Sequence, residues 1–179
     1  NVDEHDVYPF LVPEKKFLKN ILNTTEKKVL GICLGAQLLA NVLESSITKN
    51  QYKEIGFWEI FFNSDIQNIN TELLSIFKKF DQKKVAHWHG DTFNLPLGAQ
   101  QIWHSQACQN QGFIWENRAL GLQFHPEMTP MCVAEMIEHC ADELENAETT
   151  QFPFVQTAQT LRKNAQQYTT IQNKLLFEL

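Results

Sequence analysis

No run in this sequence is long and apolar enough to cross a bilayer, and no charged-then-apolar leader opens it. Both absences predict a soluble chain working in the cytoplasm. Positive charge is also in short supply: 15 Lys and Arg stand against 21 Asp and Glu, a net charge of −6. An acidic surface repels phosphates, which argues against nucleic acid or a membrane as a broad partner. The four cysteines, Cys33, Cys108, Cys132 and Cys140, include no CxxC pair. A chain of 179 residues with no leader needs no disulfide staples, so free thiols are expected. Internal repeats and low-complexity linkers are missing as well. Finally, there is no initiator Met and no apolar strand ahead of the acidic start Asn1–Asp6.

What is present is core material. Hydrophobic residues make up 43%, with 13 Phe and 4 Trp, enough for one domain over residues 1–179. Helices are predicted at Pro13–Asn23, Leu34–Glu44, Thr71–Phe80 (capped by Thr71), from Thr129–Pro130 onward, and from about Phe154 to Phe177. The last carries an apolar stripe, Phe154, Ala158, Leu161, Ala165, Tyr168, Ile171 and Leu175, expected to pack on its own domain. Strands are predicted at Val29–Cys33, Gly56–Phe62, Lys84–Trp88, Gln101–Ser105, Gln111–Glu116 and Ala119–Phe124, with a turn at Glu116–Arg118. The alternation predicts an α/β fold, a three-layer, open and mostly parallel sheet.

Two segments carry chemistry. Gly31-Ile-Cys-Leu-Gly35 sits between a predicted strand and a predicted helix, the cysteine form of a nucleophile elbow. The nucleophile occupies a strained turn, and Gly31 and Gly35 are expected to make room where strand and helix cross. A helix starting behind Cys33 favours an anion, which would lower the thiol pKa. The Leu34 backbone N–H would face a developing oxyanion. The second segment is Gly121-Leu-Gln-Phe-His-Pro-Glu127, at the end of a predicted strand. His125 and Glu127, two apart, lie on one side of an extended backbone, so Glu127 can orient the imidazole that exchanges a proton with Cys33. Strand ends of an open α/β sheet gather at one edge, where both segments would meet.

With Gly31–Gln37, His87-Trp-His-Gly-Asp-Thr-Phe93 and Gly121–Glu127 in order along it, the chain resembles a class I glutamine amidotransferase domain, of the stand-alone kind similar to GMP synthase. Pro96 and Ala107–Phe113 add to the resemblance. It implies a flavodoxin-like fold and a Cys33–His125–Glu127 triad. Cys33 would attack the glutamine side-chain amide, release ammonia and leave a γ-glutamyl thioester for hydrolysis. It further implies substrate contacts from Gly35, Gln37 and the loop His89-Gly90-Asp91. Partners would be glutamine or a γ-glutamyl compound, and a synthase subunit or domain receiving ammonia; no cofactor is implied. A γ-glutamyl peptidase on the same triad, or a partner-binding relative without activity, are the alternatives. Asn1–Leu11 resembles the stretch after the family's Gly-rich oxyanion loop, so a fragment of a longer protein is expected. His87 and His89 would share a face of an extended run and His104 lies not far beyond, but a zinc site needs three or four convergent ligands, so no metal is expected.

Overall fold

The computed structural model describes residues 2–179. Its elements run α1 (Leu11–Thr24), β1 (Val29–Ile32), α2 (Leu34–Val42), β2 (Ile47–Phe62), α3 (Thr71–Lys79), β3 (Lys83–Phe93), β4 (Ala99–His104), β5 (Gly112–Trp115), β6 (Ala119–Leu122), α4 (Pro130–His139), a 3-10 turn (Ala141–Leu144) and α5 (Ala158–Leu176). The strands form one sheet in the order β1-β6-β5-β4-β2-β3.

The α/β class is as predicted, but the sheet is mixed rather than mostly parallel. Only β1 and β6 pair in parallel, while β6–β5, β5–β4, β4–β2 and β2–β3 are antiparallel. For β4–β5 and β5–β6 the cause is connection length. Segments 105–111 and 116–118 are too short for the crossover that parallel neighbours need. In the second, Glu116 and Asn117 take positive φ and the Arg118 N–H closes the turn on the Trp115 carbonyl.

Helices cover both faces of the sheet. On one, α1 and α2 bring Leu22, Ala36, Leu39 and Ala40 against Phe93, Phe113 and Ala119. On the other, α3 and the end of α5 cover Trp103, Ile114, Leu120, Leu122 and Phe124. The alternation of Ala119 with Leu120 and of Phe113 with Ile114 between these cores is the period-two signature of a strand buried on both sides. Trp103 anchors the second core edge-on to Phe77, Phe80 and Phe124, and its indole N–H donates to the Phe77 carbonyl at 3.2 Å.

Three elements differ from the sequence expectation. β2 begins at Ile47, not Gly56, because its polar first half is recruited by pairing with β3 rather than by its own pattern. α3 is capped by Asn70, whose side chain accepts from the Glu72 and Leu73 N–H groups, and Thr71 is the first helical residue. α5 starts at Ala158, capped by Thr157, because the backbone before it is bound elsewhere: the Ile55 N–H donates to Phe154 and the Gln156 N–H to Ile55. Gln156 lies so close to Gly56 (φ 146°) that a Cβ there would come within 2.6 Å of its side chain. The α5 stripe does pack on its own chain through Leu161, Ala165 and Leu175, although Ile171 is exposed. α4 is capped as predicted, with Thr129 accepting from Cys132 and Pro130 in the first turn.

Candidate active site

β1 delivers Cys33 to the sheet edge, and α2 begins one residue later. The Cys33 N–H prolongs the β1–β6 ladder by donating to the Leu122 carbonyl at 2.7 Å. The chain then turns at once into the helix, so Cys33 is forced to φ 49°, ψ −105°, outside the ordinary regions for an L-residue. Gly31 permits the crossing: a Cβ there would stand 2.5 Å from the Gly35 carbonyl oxygen and 2.7 Å from Leu39 Cδ1. Gly35 does not play the matching part expected of it. A Cβ there would meet nothing within 4 Å, because this side of the first turn of α2 faces outward. The first-turn N–H groups of α2, that of Leu34 among them, have no acceptor inside the helix and present positive charge beside the sulfur.

β6, the parallel neighbour of β1, brings the second segment to the same edge. The His125 Nδ1 lies 2.6 Å from Glu127 Oε1, and Cys33 acts on the ring electrostatically. Burial disfavours a charged ring, yet Cys33 and Glu127 outweigh it and push His125 up to about 10. At neutral pH the ring therefore keeps its proton, with Glu127 Oε1 beside Nδ1. Its backbone is fixed from behind. The His125 N–H donates to Ala86, and the buried Gln172 of α5 donates to the carbonyls of His125 and Met128 while accepting from the Ala86 N–H. Asn173 adds bonds to the Pro126 and Met128 carbonyls.

The other predicted site residues fall into two groups. Gly90 and Asp91 are half-buried at the end of β3. Gln37 and His89 are buried, and their polar atoms serve the protein itself. The Gln37 amide donates to Gln123 Oε1 (3.2 Å) and to the Asp91 carbonyl (3.5 Å); His89 Nδ1 lies 3.0 Å from that same carbonyl. These two side chains hold the loop in place rather than line open space.

Gln123 was not singled out from the sequence. Its amide donates to Cys33 Sγ at 3.6 Å and its oxygen accepts from Gln37, so it joins the sulfur to the loop. The signal was there: Gln123 is two residues before His125 in the same segment after β6 and is fully buried. A second unforeseen group borders Gly90. Lys53 pairs with Glu143 at 2.7 Å, and Glu143 also accepts from the Trp88 indole at 3.1 Å. The carboxyl of Glu143 is held low by these partners against its partial burial. All four cysteines are free, and burial pushes the Cys108 thiol up to about 11, which keeps it inert. No described helix is long and apolar enough to cross a membrane.

Comparison with known proteins sets this geometry in context. The family model for class-I glutamine amidotransferases matches residues 9–144. The glutamine amidotransferase-like protein YfeJ of Salmonella typhimurium is 30% identical over 77% of this chain and 56% of its own length. The glutamine-hydrolyzing GMP synthase of Ehrlichia ruminantium is 35% identical over 63% of this chain and 22% of its own. The chain thus spans little more than half of one curated relative and under a quarter of the other. A crystal structure of a glutamine amidotransferase from Thermotoga maritima superposes with a TM-score of 0.82 at 34% identity, over 99% of this chain and 71% of that one.

Proposed function

This chain belongs to the class-I glutamine amidotransferase family, and from that premise we propose that it releases ammonia from the side-chain amide of glutamine through Cys33, His125 and Glu127. The single observation that carries the reading is the meeting of a strained cysteine at a helix start with a His–Glu pair 2.6 Å apart. In the reaction, the Cys33 sulfur attacks the carboxamide carbon, and the carbonyl oxygen gains charge beside the Leu34 N–H. His125, already an imidazolium, gives its proton to the departing nitrogen, and ammonia leaves as the thioester forms. Now neutral, His125 takes a proton from water, whose oxygen attacks the thioester. Glutamate departs, and the sulfur–imidazolium pair is restored. Glu127 keeps the ring in one orientation and stabilises its charge.

Gln123, Gln37 and His89 act as positioning residues, fixing the sulfur and the loop around Gly90 and Asp91. Backbone atoms of that loop, with Gly35 opposite, would hold the amino-acid end of the substrate. The ammonia would pass to a synthase subunit or domain.

The test is direct. Full-length protein is incubated with glutamine and, separately, with γ-glutamyl peptides, and ammonia and glutamate are measured. Glutamine should yield both products, and Cys33→Ala should lower kcat by at least about 10³-fold. A Cys33→Ala variant that matches the parent on every substrate refutes the proposal. Turnover of peptides in preference to glutamine would keep the thiol chemistry and transfer the substrate to γ-glutamyl compounds.

A further inference from the structure

Beneath the loop, outside the proposed triad, three ligand-type side chains converge inside the sheet. Glu54 of β2 stands directly across from His89 of β3, and His87, two residues before, shares that face. All three are buried, and their donor atoms lie within 4.8 Å of one another. Glu54 Oε2 is 3.1 Å from His89 Nε2 and 3.5 Å from His87 Nδ1. Ligands about 2.0–2.1 Å from a tetrahedral ion are roughly 3.3 Å apart, so both separations match edges of such a site.

The far side of each ring strengthens the case. His87 Nε2 faces the Trp58 carbonyl at 3.4 Å, and His89 Nδ1 faces the Asp91 carbonyl at 3.0 Å. A carbonyl only accepts, so both far nitrogens carry hydrogen. This is the arrangement by which metal-ligating histidines are usually held. In the neutral rings the near nitrogens then present lone pairs to a carboxylate whose Oε2 also accepts from the Gln111 amide at 2.6 Å, and this surplus of lone pairs favours a cation among them. A proton shared by His89 and Glu54 answers for one pair only. His87 Nδ1 and Glu54 Oε1, both fully buried, have no hydrogen-bond partner among the described residues. Leaving such groups unpaired is unfavourable.

We propose that Glu54, His87 and His89 form a binding site for a divalent transition metal of the zinc class, a structural clamp between β2 and β3. Glu54 meets His87 and His89 only through the pairing of β2 with β3, which the spacing of histidines along the sequence does not reveal. The clamp falls where the β2–β3 register shifts between Lys49 and Glu54, the stretch in which strand pairing is weakest. It also braces the Asp91 carbonyl through His89. A surface cleft bordered by Trp58, Phe61, Gln106 and Phe154 adjoins Glu54. Glutamine hydrolysis plays no part in the argument, so the site stands or falls by itself.

Full-length protein is stripped by chelator, loaded with Zn2+, desalted and assayed for metal by mass spectrometry; a Cys33→Ser background removes the thiol of the proposed active site. About one zinc per chain should remain in both proteins, as a single three-residue site requires. Glu54→Gln and His87→Gln should each weaken binding by at least about 10–100-fold. Co2+ in the Cys33→Ser protein should show the intense visible bands of four-coordinate nitrogen and oxygen ligation. Zinc should raise the Tm of the stripped protein, a readout that survives if the variants fail to fold. A parent that keeps no zinc and shows no zinc-dependent Tm overturns the proposal. So does zinc that disappears with Cys33→Ser.

Discussion

Replacing Glu127 by Gln keeps the shape of the His125 contact and removes its negative charge. The hydrogen bond spans 2.6 Å, and charge-assisted bonds contribute about 1.5–3 kcal/mol. The Glu127 side chain is 43% exposed, so solvent screens the pair and the lower end applies. At about 1.4 kcal/mol per pKa unit, the substitution should lower His125 by about one unit, from about 10 to about 9. Cys33→Ser should lower it further, since Cys33 raises the ring more than Glu127 does. The sign for stability follows. A histidine raised above its free value of 6.5 contributes fully below that pH and loses its contribution as the pH climbs through about 10. The assay is an NMR titration of the His125 ring, run beside urea denaturation from pH 6 to 10. In Glu127→Gln the alkaline decline should be smaller and end about one unit earlier. A parent ring titrating near 6.5, or one midpoint common to parent and variant, would refute this account of the site.

Gly31→Ala should destabilise by about 1–3 kcal/mol in urea denaturation, because its Cβ meets backbone that cannot move aside. Gly35→Ala, with open space and a helical position, should instead be neutral or stabilising by up to about 1 kcal/mol. Gln37→Leu strips the buried Gln123 oxygen of its donor and should cost about 1–3 kcal/mol by the same measurement. Trp103→Ala, at the centre of four packed rings, should cost about 3–5 kcal/mol and lower the Tm accordingly.

What the sequence disclosed was what is local. The elbow at Cys33 and the cap Thr129–Pro130 fit within a few residues, where steric and hydrogen-bond demands act on neighbours alone. The Asn70 cap was misplaced by one residue because Asn70 and Thr71 both make good caps. Pairing register stayed hidden. Nothing between Ile47 and Lys53 alternates as a half-buried strand does, so the first half of β2 was invisible, and with it the placement of Glu54 opposite His89. Gln172 went unread for a similar reason: on α5 it follows the helical stripe, but its amide is spent on backbone of β3 and of the His125 segment, and only the tertiary fold brings these together.

The backbone of Cys33 sets two selective pressures against each other. A residue with a side chain at φ 49°, ψ −105° carries about 1–3 kcal/mol of strain, whereas glycine carries little there. A lineage selected on folding alone would drift to glycine at this position and gain stability by losing its thiol. Descendants freed from chemistry should therefore be recognisable by Gly in place of Cys33 and a higher Tm.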